Sequence, residues 1–310
     1  MTDLLDRVRA TGLLVAGEPV VVLLSGGRDS VCLLDVATRL AGPEAVVALH
    51  VNHGLRGAES EEDEAHCRAL ADRLGVELVV ERSGPVPRSG NVQAWARDGR
   101  LGAAARLAQP RGAHVATGHT STDQAETILY RLAASPGRRA LLGMAPRDGL
   151  VIRPLLAVTR EETAAHCRSR GLAWREDSSN ASHSYSRTRV REGLVPALRA
   201  LHPAAERNVV RTAEILREEA AVLDELVDTV LAGAHRVGTA HLAALPPALA
   251  RLVVRRLAED ATGRLCPRAP GRLQELLDLG EGALDLGEGA RAVVHDGQLH
   301  VERTPRLSET

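Results

Sequence analysis

Val20-Val21-Val22-Leu23-Leu24-Ser25-Gly26-Gly27-Arg28-Asp29-Ser30-Val31-Cys32-Leu33-Leu34-Asp35-Val36 is the stretch whose reading decides the fold. Five apolar residues, three of them consecutive valines, read as a buried strand. Val31, Cys32, Leu33, Leu34 and Val36 are spaced like the inner face of a helix. Between the two, a pair of glycines lets the chain turn tightly and approach a ligand with its backbone. The first N–H groups of a helix have no partner within it, and its dipole favours an anion there. Ser25 and Ser30 add hydroxyls. The stretch predicts a strand, a turn and a helix start that together cradle phosphate. No Gly-Lys-Ser/Thr follows, which excludes a Walker A loop. The chain contains no lysine, so arginine supplies all its fixed side-chain positive charge.

The surroundings repeat the same unit. Strands are predicted over 20–24, 46–51, 77–80 and 114–117, and helices over 30–40, 60–74, 92–107 and from 123 to about 133. Short apolar strands separated by helices imply an α/β fold: a doubly wound, mainly parallel sheet with helices on both faces. Ligands of such sheets sit beyond the carboxyl ends of the strands, where Ser25, His50, Asn52 and His119 fall. Carboxylates at Glu59, Glu61, Glu62, Asp63 and Glu64 read as a solvated helix N-terminus. Residues 134–149, rich in Gly, Pro and Arg, read as a mobile loop, and 160–170 as a further helix.

Later segments change character. A long helix over 206–231 carries Val209, Ala213, Leu216, Ala220, Leu223, Val227 and Val230 as one apolar stripe. Packing against a neighbouring domain is the plainer use of that stripe, and a homodimeric coiled coil the alternative. From about 235 the chain reads as helices over 241–260 and 270–279. It closes on a hairpin at Asp296-Gly297, a smaller α-rich second domain. The expected division is 1–200, a linking helix over 201–235, and 236–310.

Composition narrows the class. The 310 residues are 44% hydrophobic and 25% charged, as in a soluble globular protein. No run of apolar residues is long enough to span a membrane, and the acidic, amphipathic start does not read as a signal peptide. Cys32, Cys67, Cys167 and Cys266 include no C-x-x-C pair, which argues against a zinc or iron–sulfur site and for packing roles in a reducing cytoplasm. A net charge of −1 does not advertise a nucleic-acid binder, but the local distribution matters more than the total.

Two further constellations carry chemistry. His50-Val51-Asn52-His53-Gly54-Leu55-Arg56 puts four polar groups at the end of the second strand. After the fourth strand, His119, Asp123, Glu126 and Tyr130 fall at i, i+4, i+7 and i+11 of one helix face. Two carboxylates and a histidine there suit Mg²⁺ binding, ammonium capture or proton transfer. Arg97 and Arg100 lie one turn apart on the preceding helix. Arg138 and Arg139, with Arg187, Arg189 and Arg191, form local basic clusters fit for phosphate contact.

The Ser-Gly-Gly-x-Asp-Ser loop resembles the PP-loop of the ATP pyrophosphatases. The series continues with His-Val-Asn-His-Gly-Leu-Arg at 50–56, Gly-His-x-x-x-Asp-Gln-x-Glu-Thr at 118–127 and Arg153-Pro154-Leu155-Leu156. It goes on through Trp174-Arg175-Glu176-Asp177-Ser178-Ser179-Asn180 and Tyr185-Ser186-Arg187-Thr188-Arg189-Val190-Arg191 to Leu194-Val195-Pro196-Ala197-Leu198. Across roughly residues 20–200 this is similar to the tRNA(Ile)-lysidine synthetases. The chain departs from their pattern at Thr120, at Ala133-Ala134-Ser135-Pro136 and at Thr188. The resemblance implies a cytoplasmic ligase that adenylates the wobble cytidine of a CAU-anticodon tRNA(Ile) with ATP and then displaces AMP with free L-lysine.

It also implies roles for residues. Ser25, Gly26, Gly27, Arg28, Asp29, Ser30, His50, Asn52 and His119 would bind ATP, with Asp29 placing Mg²⁺. Asp123 and Glu126 would take the lysine ammonium, with Arg97 and Arg100 beside them, and Asp29, Asp123 and Glu126 would be catalytic. Arg138, Arg139, Arg187, Arg189 and Arg191 would meet tRNA, and 236–310 would be a tRNA-binding domain. A PP-loop tRNA 2-thiolation enzyme is the enzymatic rival, disfavoured because no cysteine sits at a strand end. A non-catalytic tRNA-binding protein on the same fold is the other, disfavoured by the intact loop.

Overall fold

The valine-rich stretch forms β1 (Val20–Leu23), at the centre of a six-stranded sheet, in a computed structural model describing residues 3–84, 91–134, 137–176 and 186–304. The chain divides into two compact units, Met1–Glu214 and Ile215–Thr310. In the first, α1 (Leu4–Ala10) precedes β1, and then come α2 (Arg28–Ala41), β2 (Val46–Asn52), α3 (Ala58–Leu74), β3 (Glu77–Arg82), α4 (Val92–Ala108) and β4 (His114–Ala116). There follow α5 (Ser121–Ala134), α6 (Arg138–Leu141), β5 (Arg147–Asp148), β6 (Val151–Ile152), α7 (Arg160–Ser169), α8 (Ser186–Arg189) and α9 (Val195–Leu201). The helix α10 (Ala205–Leu231) runs from the first unit into the second.

Strand order is β3-β2-β1-β4-β6-β5, parallel except for β5. The valines of β1 alternate between faces. Val20 and Val22 join a core with α1, α2, α3 and α7, while Val21 joins Leu49, Val115 and the small residues Ala103, Ala104 and Ala108 of α4. Helices on both faces confirm the doubly wound reading. They leave the carboxyl ends of β1, β2 and β4 together along one edge.

Two local expectations are corrected. Residues 134–149 are not a bare loop: α6 and β5 fall within them, and Gln124, buried on α5, holds Met144 through both its backbone N–H and carbonyl. The acidic start of α3 is not simply solvated. Asp63 and Glu64 are buried and take guanidinium groups of Arg56 and Arg175, and of Arg68 and Arg82 respectively.

The second unit contains β7 (Arg236–Gly238), α11 (Thr239–Ala244), α12 (Pro247–Thr262), α13 (Leu273–Asp278), β8 (Gly282–Gly287), β9 (Ala290–His295) and β10 (Gln298–Arg303). The helix expected over 241–260 is two, because Pro247 opens a new helix at its first turn. The Asp296-Gly297 hairpin forms as expected, both residues at positive φ, as a two-residue primed turn demands. Strands β7 and β8 extend it to an antiparallel sheet of order β7-β10-β9-β8 beside the helices. Of the α10 stripe, Ala213, Ala220 and Val227 are buried, and Val227 belongs to this unit's core. Among the described residues no helix is long and apolar enough to cross a membrane.

Candidate active site

The loop between β1 and α2 is tied by its own side chains. The Ser30 hydroxyl donates to the Gly27 carbonyl at 2.8 Å and accepts from the Ser25 N–H at 3.2 Å, and the two serine oxygens lie 3.1 Å apart. Gly26 sits at φ +82°, where glycine serves the turn; a β-carbon there would meet Cys67 and His66 only at an ordinary contact distance of 3.5 Å. From 112 residues downstream of Asp63, Arg175 closes over the loop. Its guanidinium meets Asp63 and its N–H donates to the Gly26 carbonyl at 3.0 Å.

Strand β2 braces this loop from the side. His50 is buried, with Nδ1 2.9 Å from the Leu24 carbonyl, the residue that leads into the loop. Asn52, also buried, donates to Glu64 Oε2 at 3.0 Å and accepts from the Gly54 N–H at 2.9 Å, shaping the turn that follows. His50 Nδ1 and the Asn52 amide therefore brace the site's scaffold. His53 is held below its usual pKa by burial, then by Arg100 and by His50, and packs beside Trp95, ring centroids 5.4 Å apart. Arg97 bears instead on Arg153, whose guanidinium is held below its usual pKa by burial and, less strongly, by Arg97 and Arg131.

Asp29 stands in the first turn of α2. Its Oδ1 accepts from Thr163 at 2.5 Å and from Arg28 Nε at 3.1 Å, leaving Oδ2 in a looser ion pair with Arg160 Nε at 3.6 Å. Asp123 stands in the first turn of α5. Its Oδ2 accepts from the Thr120 N–H at 2.9 Å and the Thr120 hydroxyl at 2.8 Å, and its Oδ1 from Arg160 Nη2 at 2.6 Å. Burial alone would raise the Asp123 carboxyl, but Arg160, the Thr120 donors and His119 outweigh it and hold the group ionised below the usual range. Thr120 thus has a defined job at the position where the chain departs from the lysidine synthetase pattern. His119 is oriented through Nδ1, 2.8 Å from the Thr117 hydroxyl.

Glu126 is 4% exposed, yet two guanidinium groups reach it: Arg191 through Nε at 2.8 Å and Nη2 at 3.1 Å, and Arg160 through Nη1 at 3.4 Å. Arg191, read from sequence as part of a basic surface cluster, therefore lies against the carboxylate pair. Arg189 is exposed on α8, and Arg138 and Arg139 stand on α6. The side chain of Arg187 and residues 177–185 lie outside the described residues.

Arg160 and Thr163 are the site residues that sequence reading missed. A signal was there: Thr159-x-x-Glu162 is a capping box, present in full, that starts α7 and puts Arg160 at its first position and Thr163 one turn on. Gly118 lies two residues beyond the end of β4. A β-carbon on it would stand 3.0 Å from the Asp29 carbonyl, tighter than an ordinary contact, so glycine eases the approach of this segment to α2.

All four cysteines are buried and free. Burial, with Asp63 and Glu64 nearby, pushes the Cys67 thiol up to about 12. Its neighbour Cys167 and burial likewise push Cys32 up. Such thiols make poor nucleophiles or cluster ligands.

A search of protein families matches residues 6–198 to the PP-loop domain. The chain is 39% identical to the tRNA(Ile)-lysidine synthase of Salinispora tropica, over 91% of this chain and 90% of that one. It is 38% identical to the one from Solibacter usitatus (86% of this chain, 62% of that one) and 42% identical to the one from Thermus thermophilus (78% and 48%). The chain thus spans about half to two thirds of the length of those two relatives. Among solved structures it resembles the U34-tRNA thiolase NcsA from Methanococcus maripaludis with its [4Fe-4S] cluster. That likeness has a TM-score of 0.58 at 19% identity and covers 69% of this chain and 78% of that one, a likeness of fold alone. With a phosphate-type loop, an ionised Asp123 beside Glu126 and a relative matched nearly end to end, the chain belongs to the tRNA(Ile)-lysidine synthase family of PP-loop proteins.

Proposed function

We propose that this chain joins L-lysine to C2 of the wobble cytidine of a CAU-anticodon tRNA(Ile), using ATP. One observation carries the reading: the carboxylates of Asp123 and Glu126, suited to an ammonium, stand one guanidinium away from Asp29 at the mouth of the phosphate loop. The two half-reactions would then share a single site. In the first, cytidine O2 attacks the α-phosphorus of ATP and the bond to the β-phosphate breaks, releasing pyrophosphate. In the second, the lysine amine bonds to C2, the C2–O2 bond breaks, and AMP leaves with that oxygen.

Ser25, Gly26, Gly27 and Ser30 would line the pyrophosphate, with the open N–H groups of α2 aimed at it. A Mg²⁺ ion fits here: Asp29 Oδ2 is a hard oxygen ligand in a loose 3.6 Å ion pair, next to the phosphate cradle. Bound there, the ion would neutralise the leaving pyrophosphate. Asp29 would orient it, Thr163 would fix Asp29, and Asp123 and Glu126 would orient the amine and take up its proton. Arg189, Arg138 and Arg139 supply charge for the tRNA backbone, and we assign tRNA docking to 236–310 as well.

The thiolation alternative gains nothing from the site, since every thiol is buried. ATP-dependent incorporation of radiolabelled lysine into a CAU-anticodon tRNA(Ile) transcript tests the reading. Incorporation that vanishes when the wobble cytidine is changed to uridine supports it. Pyrophosphate release with tRNA but no incorporation would leave adenylation standing and remove lysine as the nucleophile.

A further inference from the structure

Arg160 opens α7 and directs one guanidinium at carboxylates on two other helices. Nη2 lies 2.6 Å from Asp123, Nη1 3.4 Å from Glu126 and Nε 3.6 Å from Asp29. Nε is buried and makes no hydrogen bond among the described residues, so the group is placed for charge as much as for bonding. Arg191 adds a second guanidinium on Glu126. The two carboxylates assigned to an ammonium thus already face two fixed positive charges. Asp29 and Arg28 from α2, and His119 and Thr163, complete the polar surroundings.

That compensation has a chemical consequence. Only the neutral amine is a nucleophile, and a free lysine ε-ammonium has a pKa near 10.4, so about one molecule in 10³ is neutral at neutral pH. Two uncompensated carboxylates would bind the charged form tightly and make its proton harder to remove. A guanidinium, charged at every working pH, opposes both effects. We propose that Arg160 is a positioning residue that keeps the amine pocket charge-compensated, so that lysine is held loosely and gives up its proton readily while Asp123 and Glu126 stay in register with Asp29. This rests on the lysine-ligating reading above.

The test has an unusual sign. In Arg160→Gln, measured as lysine incorporation into the CAU-anticodon tRNA with saturating ATP and Mg²⁺, KM for lysine should fall about threefold or more while kcat falls about tenfold or more, the loss of one charge a few ångström away. Arg160→Lys, which keeps the charge without the fork, should move KM back toward wild type. Arg191→Gln should lower KM in the same direction, so the prediction survives if Arg160→Gln does not fold. A KM that rises or stays put in the folded variants overturns the proposal, because a merely structural residue weakens binding and turnover together. Wild-type protein that incorporates no lysine overturns both this inference and the reading beneath it.

Discussion

A β-carbon on Gly118 would stand 3.0 Å from the carbonyl carbon and oxygen of Asp29 and 3.1 Å from the backbone nitrogen of Ser30. The end of β4 therefore rests directly on the first turn of α2, the turn that aims N–H groups at the phosphate site. The atoms it would meet are all backbone, so relief takes a shift of the loop rather than of a side chain. Gly118→Ala should push the loop outward by a fraction of an ångström. Because displacements of about 1 Å at a reacting centre can cost ~10²-fold, tRNA-dependent pyrophosphate release should fall about tenfold or more. A folded variant with wild-type pyrophosphate release would show that this contact does not set the loop.

Asp29 and Asp123 share Arg160 but should fail differently. Arg160 pairs with both, Asp29 in the first turn after the loop and Asp123 on α5, which the proposed function assigns to the amine. Asp29→Ala should abolish pyrophosphate release and lysine incorporation together. Asp123→Ala should abolish incorporation while the adenylated tRNA still forms and pyrophosphate is still released. Both variants should keep the wild-type circular dichroism spectrum. Equal loss of pyrophosphate release in both would merge the two roles proposed for them.

Much of this site was legible in the chain, for a physical reason. Strand, loop and helix follow one another within 20–41, so local periodicity and glycine placement report them. Asp123 and Glu126 share a helix face by spacing alone. What was not legible joins distant elements: Thr163 to Asp29 across 134 residues, His166 to Asp35 across 131, Arg175 to Asp63 across 112. Periodicity marks which face of a helix is apolar, not which polar residue of another helix it will meet. Arg191 meets the same limit, since a run of arginines does not disclose that a buried glutamate stands opposite one of them. In the second unit, β8 has the sequence Gly282-Ala-Leu-Asp-Leu-Gly287, poor in β-branched residues, and only pairing with β9 makes it a strand.

Asp35, 1% exposed on α2, receives His166 Nε2 at 2.8 Å and Arg170 Nη2 at 3.3 Å, the first from α7 and the second from the residue that caps it. Burial alone would raise its carboxyl, but these donors outweigh burial and hold it below its usual value. The contact clamps α7 to α2 and so keeps Thr163 and Arg160 at Asp29. Asp35→Ala removes one partner of a buried pair and should cost about 3 kcal/mol in urea unfolding. A loss under about 0.5 kcal/mol would reduce it to the rank of a surface ion pair.

Glu64 gives the chain an acid-sensitive joint. Hydrogen bonds from Asn52 and Arg68, with the nearby charge of Arg82, overcome burial and lower its carboxyl from 4.5 to about 2. A depressed folded value means the unfolded chain takes up the proton first. The stabilisation is therefore complete above 4.5 and is lost as pH falls from there toward about 2. Glu64→Gln cannot make that transition, so its stability should vary less than wild type's between about pH 6 and about pH 3. Parallel curves for the two proteins would mean that other carboxylates set the acid limb.

Arg189 is exposed on α8, two residues before Arg191, whose guanidinium is engaged with Glu126. Neighbours on one short segment should then behave oppositely toward tRNA. A phosphate contact made by Arg189 releases a counterion, so Arg189→Ala should weaken tRNA binding and reduce the slope of log affinity against log salt by about one. Arg191→Ala should leave that slope unchanged and act instead on lysine incorporation, through Glu126. Filter binding across a salt series separates the two. A slope that changes for Arg191 and not for Arg189 would place the tRNA backbone against the carboxylate pair rather than along the exposed face of α8.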